Sequence, residues 1–214
     1  MAHDLRTPLN NLYGVVSLLK ESELSEEKSA KLFELAEKEH KQGISLMEDM
    51  LASFSLENTE EARKESVNIS EFLEEFAQKT LPKTKQNQLV FKSSILPNIT
   101  ANIYPFRFQR VIENLISNAI KFTPTKGQIN LMLHKEEHQF IVVVADSGIG
   151  IPKNMQPHLF KKFNKQIKRQ GLKGEKTNGL GLSIVKQIVE QHEGHIYIDS
   201  EEGKGTAITL KIPL

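Results

Sequence analysis

Cysteine is absent from all 214 residues, so this chain can build neither a disulfide framework nor a thiolate metal site. That absence is compatible with a reducing compartment. There is no apolar run of about 18 residues and no secretory-signal layout, so these residues are not expected to span a membrane. An excess of one charge is missing too. The 28 Lys and Arg against 27 Asp and Glu leave a net charge of +1, which argues against a generic nucleic-acid binder. The length allows one large domain or two small ones with a real core. His3 stands almost at the first residue, so the chain is expected to be a piece of a longer polypeptide.

Residues 5 to 56 read as two helices. Leu5, Leu9, Leu12, Val16 and Leu19 recur at spacings of four and three and form one stripe. After a polar break at residues 21 to 25, Ser25 is placed to cap a second helix. That helix carries Leu32, Leu35, Ala36, Gly43, Leu46, Met47, Met50 and Phe54. An antiparallel hairpin of two such narrow stripes stays partly wet, so a homodimer forming a four-helix bundle is expected.

Residues 57 to 66 are polar and aperiodic and read as a linker between a first domain, 1–57, and a second, 67–214. The second domain is expected to open with a helix at about 70–86, followed by strands near 89–93 and 100–103. An amphipathic helix over 106–122 presents Phe108, Val111, Ile112, Leu115, Ile116, Ala119 and Ile120 to a core. Runs at 128–134 and 139–145 flank a polar turn at 135–138 and read as a hairpin. A helix over 179–193 and a second hairpin turning at 202–205 complete the chain. Strands and helices are segregated, so the class is α+β: a helical hairpin, then an α/β sandwich in which helices cover a mixed sheet.

Four segments carry chemistry in one order. They are Glu113 to Phe122, then Asp146 to Pro152, then Leu159 to Phe163, then Asn178 to Leu182. In the first, Asn114, Asn118 and Lys121 share one helix face, and two amides with a lysine suit a hydrated magnesium ion and phosphate oxygens. In the second, Asp146 leaves the apolar run 141–145 and precedes Gly148 and Gly150; its carboxylate could accept from an exocyclic amine while the backbone approaches the ring. A dinucleotide-binding reading fails, because the glycine pattern is incomplete and Pro152 interrupts any following helix. In the fourth, Asn178 is placed to cap a helix opened by Gly179, Leu180, Gly181 and Leu182, where backbone amides attract phosphate. Taken singly, these would be a solvated face, a strand-ending turn and a capped helix. The stretch from 153 to 178, rich in lysine, reads as a lid over a polyanion.

In this order the segments resemble the N, G1, F and G2 boxes of sensor histidine kinases, and His3-Asp4-Leu5-Arg6-Thr7-Pro8-Leu9 resembles their H box. The resemblance covers nearly the whole chain. It implies a dimerisation and histidine-phosphotransfer hairpin followed by an ATP-binding domain of the fold shared with gyrase and heat-shock chaperone ATPases. Asn118 would then hold Mg2+, with Glu113 and Asn114 beside it. Lys121 would meet phosphates, Phe122 would flank adenine, and Asp146 would bind its amine. Gly148, Gly150, Ile151, Thr177, Asn178, Gly179, Leu180, Gly181 and Leu182 would line the pocket, with Phe160 and Phe163 anchoring the lid. The F box here has lysines where family members often show acid and proline.

The reaction implied is ATP-dependent phosphorylation of His3, then transfer to an aspartate on a response-regulator receiver domain. Neutral imidazole is the nucleophile. Asp4 would fix its tautomer, and Thr7, one turn on, would orient a water for the reverse phosphatase reaction. A cytoplasmic location is expected for these residues, and membrane anchorage of a longer parent is left open. Local physics pulls differently, since Thr7-Pro8 is a good cap and first helical position. Residues 1 to about 6 are therefore expected to be frayed or weakly helical. An alternative keeps the pocket but denies the kinase step, making the chain a dimeric phosphatase or ATP-sensing scaffold.

Overall fold

A computed structural model describes residues 2–20, 24–55, 63–161, 170–172, 174 and 179–214. For the helical residues 2–5, 42, 45, 46 and 48–55 it describes only the backbone. The chain divides into two compact units, Met1–Thr59 and Glu60–Leu214.

The first unit is a hairpin of helix α1 (Ala2–Leu19) and helix α2 (Glu26–Ser55). Ser25 does cap α2: its Oγ accepts from the Lys28 N–H at 3.4 Å, and its carbonyl accepts from Ser29. Contrary to the local expectation, α1 does not start at Thr7-Pro8 but runs from Ala2 with Pro8 inside it. Pro8 is buried, and a Cβ added at Gly43 would touch it at 3.9 Å. Packing across the hairpin therefore outweighs the proline's preference for a helix start. Of the apolar stripe, Leu12 and Leu19 are half-buried and the rest of its described side chains stay wet, as expected for a lone hairpin. Val15 is buried, whereas Leu9 and Val16 face solvent along with Tyr13 and Leu18. One polar layer crosses the hairpin: the Asn11 amide donates to the buried Glu39 carboxylate at 3.1 Å.

The second unit begins earlier than the linker reading allowed. Strand β1 (Glu65–Asn68) pairs antiparallel with β3 (Thr100–Ile103), a two-stranded sheet the sequence did not announce. Asn68 then caps helix α3 (Ile69–Gln86), its side chain accepting from the Ser70 and Glu71 N–H groups. Strand β2 (Val90–Ile95) follows α3, and helix α4 (Pro105–Phe122) follows β3. Strands β4 (Gln128–Glu136) and β5 (Gln139–Asp146) form the first hairpin, with a turn of only 137–138 rather than 135–138. Helix α5 (Gly181–Gln191) and the hairpin of β6 (His195–Glu201) and β7 (Gly205–Pro213) complete the unit.

The main sheet runs β2-β4-β5-β7-β6, parallel between β2 and β4 and antiparallel elsewhere, so it is mixed as expected. Alternate residues of its central strands (Ile129 and Leu131, Phe140 and Val142, Ile208 and Leu210) are buried. Phe108 of α4 meets Phe140 edge-on at 5.9 Å and Phe72 of α3 at 5.6 Å. Helices α4 and α5 pack together and place their ends at the site described next.

Candidate nucleotide site

Two contacts fix α4 and α5 as antiparallel neighbours. At one end the Arg107 guanidinium donates to Gln191 at 2.8 Å, and buried His192 bridges α5 to the start of α4. His192 donates from Nδ1 to the Ile188 carbonyl at 2.7 Å and accepts at Nε2 from the Tyr104 N–H at 2.9 Å. Burial holds its pKa below the ordinary histidine value, which matches the neutral tautomer these partners require. At the other end Gly181 opens α5 directly against Asn114, and a Cβ there would lie 2.6 Å from Asn114 Oδ1. The Asn114 amide is held in turn, donating to the Arg110 carbonyl at 2.9 Å.

The G1-like turn packs onto the end of α4. The Ile149 N–H donates to the Phe122 carbonyl at 3.0 Å, and a Cβ at Gly148 would collide with that same carbonyl. The Gly148 N–H donates to Asp146 Oδ1 at 2.8 Å. Burial pushes the Asp146 carboxyl up to about 6, against the pull of the Gly148 and Thr206 N–H groups, which favour the charged form. Gly150 sits at φ 63° under the Glu201 carbonyl, a position a side chain could not share.

Residues that the sequence reading did not single out support this turn. Ser200 Oγ accepts from the Ile151 N–H at 2.9 Å, and the Gln156 amide donates to the carbonyls of Ile151 and Ser200, each at 2.9 Å. No local pattern signals the two pairings with Ser200, which join residues 49 and 44 apart.

Asn118 and Lys121 lie one turn apart on α4, both half-buried, and among the described residues no hydrogen bond occupies the Asn118 amide. Glu113 is exposed, accepting from Gln109 at 2.8 Å. The lid reading reaches α4 at one described point, where the Leu172 N–H donates to the Lys121 carbonyl at 3.0 Å. Leu159 is buried, and the Phe160 ring lies 6.0 Å from the Lys186 ammonium of α5. Leu180 is buried and Leu182 half-buried. Leu180 itself is the N-cap of α5, without a side-chain cap bond, so the helix starts later than Gly179 and the cap is not Asn178. Phe163, Thr177, Asn178 and most of the lid lysines lie outside the described residues. So do the side chains of His3 and Asp4, although their backbone is helical; Thr7 is exposed one turn on.

Gly181 is thus set against Asn114 at the middle of α4 and Gly148 against Phe122 at its end, with Asn118 and Lys121 on the stretch between. The Asn118 amide oxygen, unspent among the described residues, suits a magnesium ion that keeps most of its waters. Among the described residues there is no cluster of three or more His, Asp or Glu able to cage a metal by itself. No helix among them is long and apolar enough to cross a membrane.

Comparison with known proteins gives the same grouping. Residues 104–214 match the family described as histidine kinase-, DNA gyrase B- and HSP90-like ATPase. Residues 1–59 match the His kinase A (phospho-acceptor) domain. The chain is 33% identical over 220 residues to the circadian input-output histidine kinase CikA of Thermosynechococcus vestitus, covering all of this chain but 30% of that protein. Full-length ShkA in complex with AMPPNP superposes with a TM-score of 0.70 at 26% identity, over 99% of this chain and 44% of that one. ThkA in complex with the response regulator protein TrrA gives 0.77 at 22% identity, over 99% and 59%, a likeness of fold.

Proposed function

This chain belongs to the sensor histidine kinases within the histidine kinase-, DNA gyrase B- and HSP90-like ATPase family, and from that premise we propose that it is a protein-histidine kinase phosphorylating its own His3 from Mg-ATP. The observation that carries the reading is the packing of both glycine segments along the second half of α4, Gly181 against Asn114 and Gly148 against Phe122, where only glycine fits so close an approach.

In this reading Asp146 accepts a hydrogen bond from the adenine amine, and Gly148 and Gly150 let the backbone approach the base. Phe122 flanks the ring. The N-terminus of α5, opened by Gly181 and Leu182 and preceded by Gly179 and Leu180, and the Lys121 ammonium gather the phosphates. The Asn118 amide, with Glu113 and Asn114 beside it, holds Mg2+, which when bound neutralises charge on the phosphates. Phe160 and Phe163 anchor the segment that closes over the site and excludes water.

The His3 imidazole attacks as the neutral ring, and Asp4 accepts its other N–H, fixing the tautomer and offsetting the charge the ring acquires. A receiver aspartate then accepts the phosphoryl group, and Thr7 orients a water for the reverse, phosphatase step. The hairpin works as a homodimer, which covers the apolar side chains each copy leaves exposed.

Incubation with γ-labelled ATP and magnesium tests the reading. Label is expected on the wild type, labile in acid and stable in alkali as a phosphoramidate, and absent from His3→Ala. Label that survives His3→Ala, or that is lost in alkali rather than acid, overturns it.

A further inference from the structure

The two ends of α5 are held to α4 by different means. At the nucleotide site the contact is a clearance: Gly181 has no side chain, and a Cβ there would lie 2.6 Å from Asn114 Oδ1. Leu180, the N-cap, makes no side-chain bond, and the Ser183 hydroxyl turns back to the Leu180 carbonyl at 2.8 Å. Among the described residues no hydrogen bond joins Leu180, Gly181, Leu182 or Ser183 to α4. The buried side chains further along, Ile184, Val185, Ile188 and Val189, are all aliphatic. Apolar contact has no direction and tolerates small slides of one helix along another.

Directional bonds stand at the far end. His192 is 2% exposed, and its Nδ1–H donates to the Ile188 carbonyl at 2.7 Å, which fixes the ring to its own helix. Its Nε2 accepts from the Tyr104 N–H at 2.9 Å, on the residue that caps α4. The rings of Tyr104 and Phe108 meet it edge-on at 5.1 and 6.2 Å. Beside it Gln191 accepts from the Arg107 guanidinium at 2.8 Å. The neighbouring pair, Glu193 with Lys64 at 3.1 Å, leaves Glu193 in solvent and contributes little.

An 11-residue helix is a stiff rod about 16 Å long, so what fixes one end fixes the other. We infer that His192, with Gln191 beside it, is a positioning residue for the nucleotide site. Its bond to Tyr104 sets how far α5 lies along α4, and so holds Gly181 and the amides after it at Asn114. The inference rests on reading that end of α5 as the phosphate site. The position needs an acceptor where Nε2 stands. Glutamine can offer one, whereas leucine fills the space without one.

Titration with magnesium and AMPPNP, at a temperature where circular dichroism shows each variant folded, tests the inference. His192→Leu should lose at least tenfold in affinity, and His192→Gln should return to within about threefold of wild type. Glu193→Gln should match wild type. A histidine with only a structural role would lower the melting temperature in both substitutions and leave the affinity of the folded protein alone. Combined with Gly181→Ala, the loss should be smaller than the product of the separate losses, because both act on one contact. If His192→Leu does not fold, Gln191→Ala decides, with an expected loss of about threefold that is likewise less than multiplicative. Wild-type affinity in the deciding variant, or losses that multiply fully with Gly181→Ala, overturns the positioning role alone. Wild-type protein that binds no AMPPNP overturns the nucleotide reading itself, and this inference with it.

Discussion

Most large apolar side chains described in residues 60–214 turn inward: Phe108, Phe140, Leu131 and Leu210 are all but inaccessible. The described side chains of residues 1–59 do so far less. Val15 is buried there, but Leu9, Tyr13, Val16 and Phe33 are 46–77% exposed. Both units are regular and capped, so the contrast is not one of local order. A sheet covered by helices seals its own core, while two helices have only one contact line. The proposed pocket thus rests on a core closed within one copy, whereas the hairpin leaves apolar surface for the proposed second copy to cover.

The sharpest way to break this contrast is to open the sealed core. Phe108→Ala should destabilise the nucleotide-binding unit by about 3–5 kcal/mol, read by denaturant unfolding. The hairpin's apolar surface behaves differently. Phe33→Glu should leave unfolding of the second unit unchanged but weaken dimerisation by roughly 10- to 100-fold in sedimentation, if a large side chain contributes about 1.5–3 kcal/mol. Equal dimer affinity would remove the argument from exposure.

Within the pocket, Gly181→Ala asks whether the close approach of α5 to α4 matters. The new Cβ would sit 2.6 Å from Asn114 Oδ1, so the amide must shift from its Arg110 partner. Nucleotide affinity should fall roughly tenfold, while stability changes by less than ~1 kcal/mol, since alanine favours a helix.

The smallest effect is the pH response of Asp146, whose carboxyl titrates near 6. Above pH 7 it is ionised and can accept the amine. Below about 6 affinity should decline, by up to about tenfold per pH unit. Stability runs the other way. A carboxyl raised by burial contributes fully in acid, and that contribution is lost as pH rises through 6, so weaker binding in acid would not reflect unfolding through this group. Asp146→Asn should flatten the binding curve.

Much of the site was legible because its signals are periodic or local. The spacing of Asn114, Asn118 and Lys121 gave one face of α4, and the run before Asp146 gave the strand that presents it. What failed were choices settled by tertiary contact. Pro8 reads as a helix start, yet packing beside Gly43 carries the helix through it. The α5 start was misjudged because Asn178 and Gly179 look like a cap, whereas the helix begins at Gly181, fitted against Asn114. Strand β1 is only four residues long and finds its partner 32–38 residues away, so the linker reading ran over its first residues.

Titration calorimetry with magnesium and AMPPNP tests the central claim most directly. The account predicts saturable, magnesium-dependent heat with one site per chain, reduced strongly in Asn118→Ala and Gly181→Ala. No heat from folded protein at millimolar ligand, or binding indifferent to both substitutions, would contradict it.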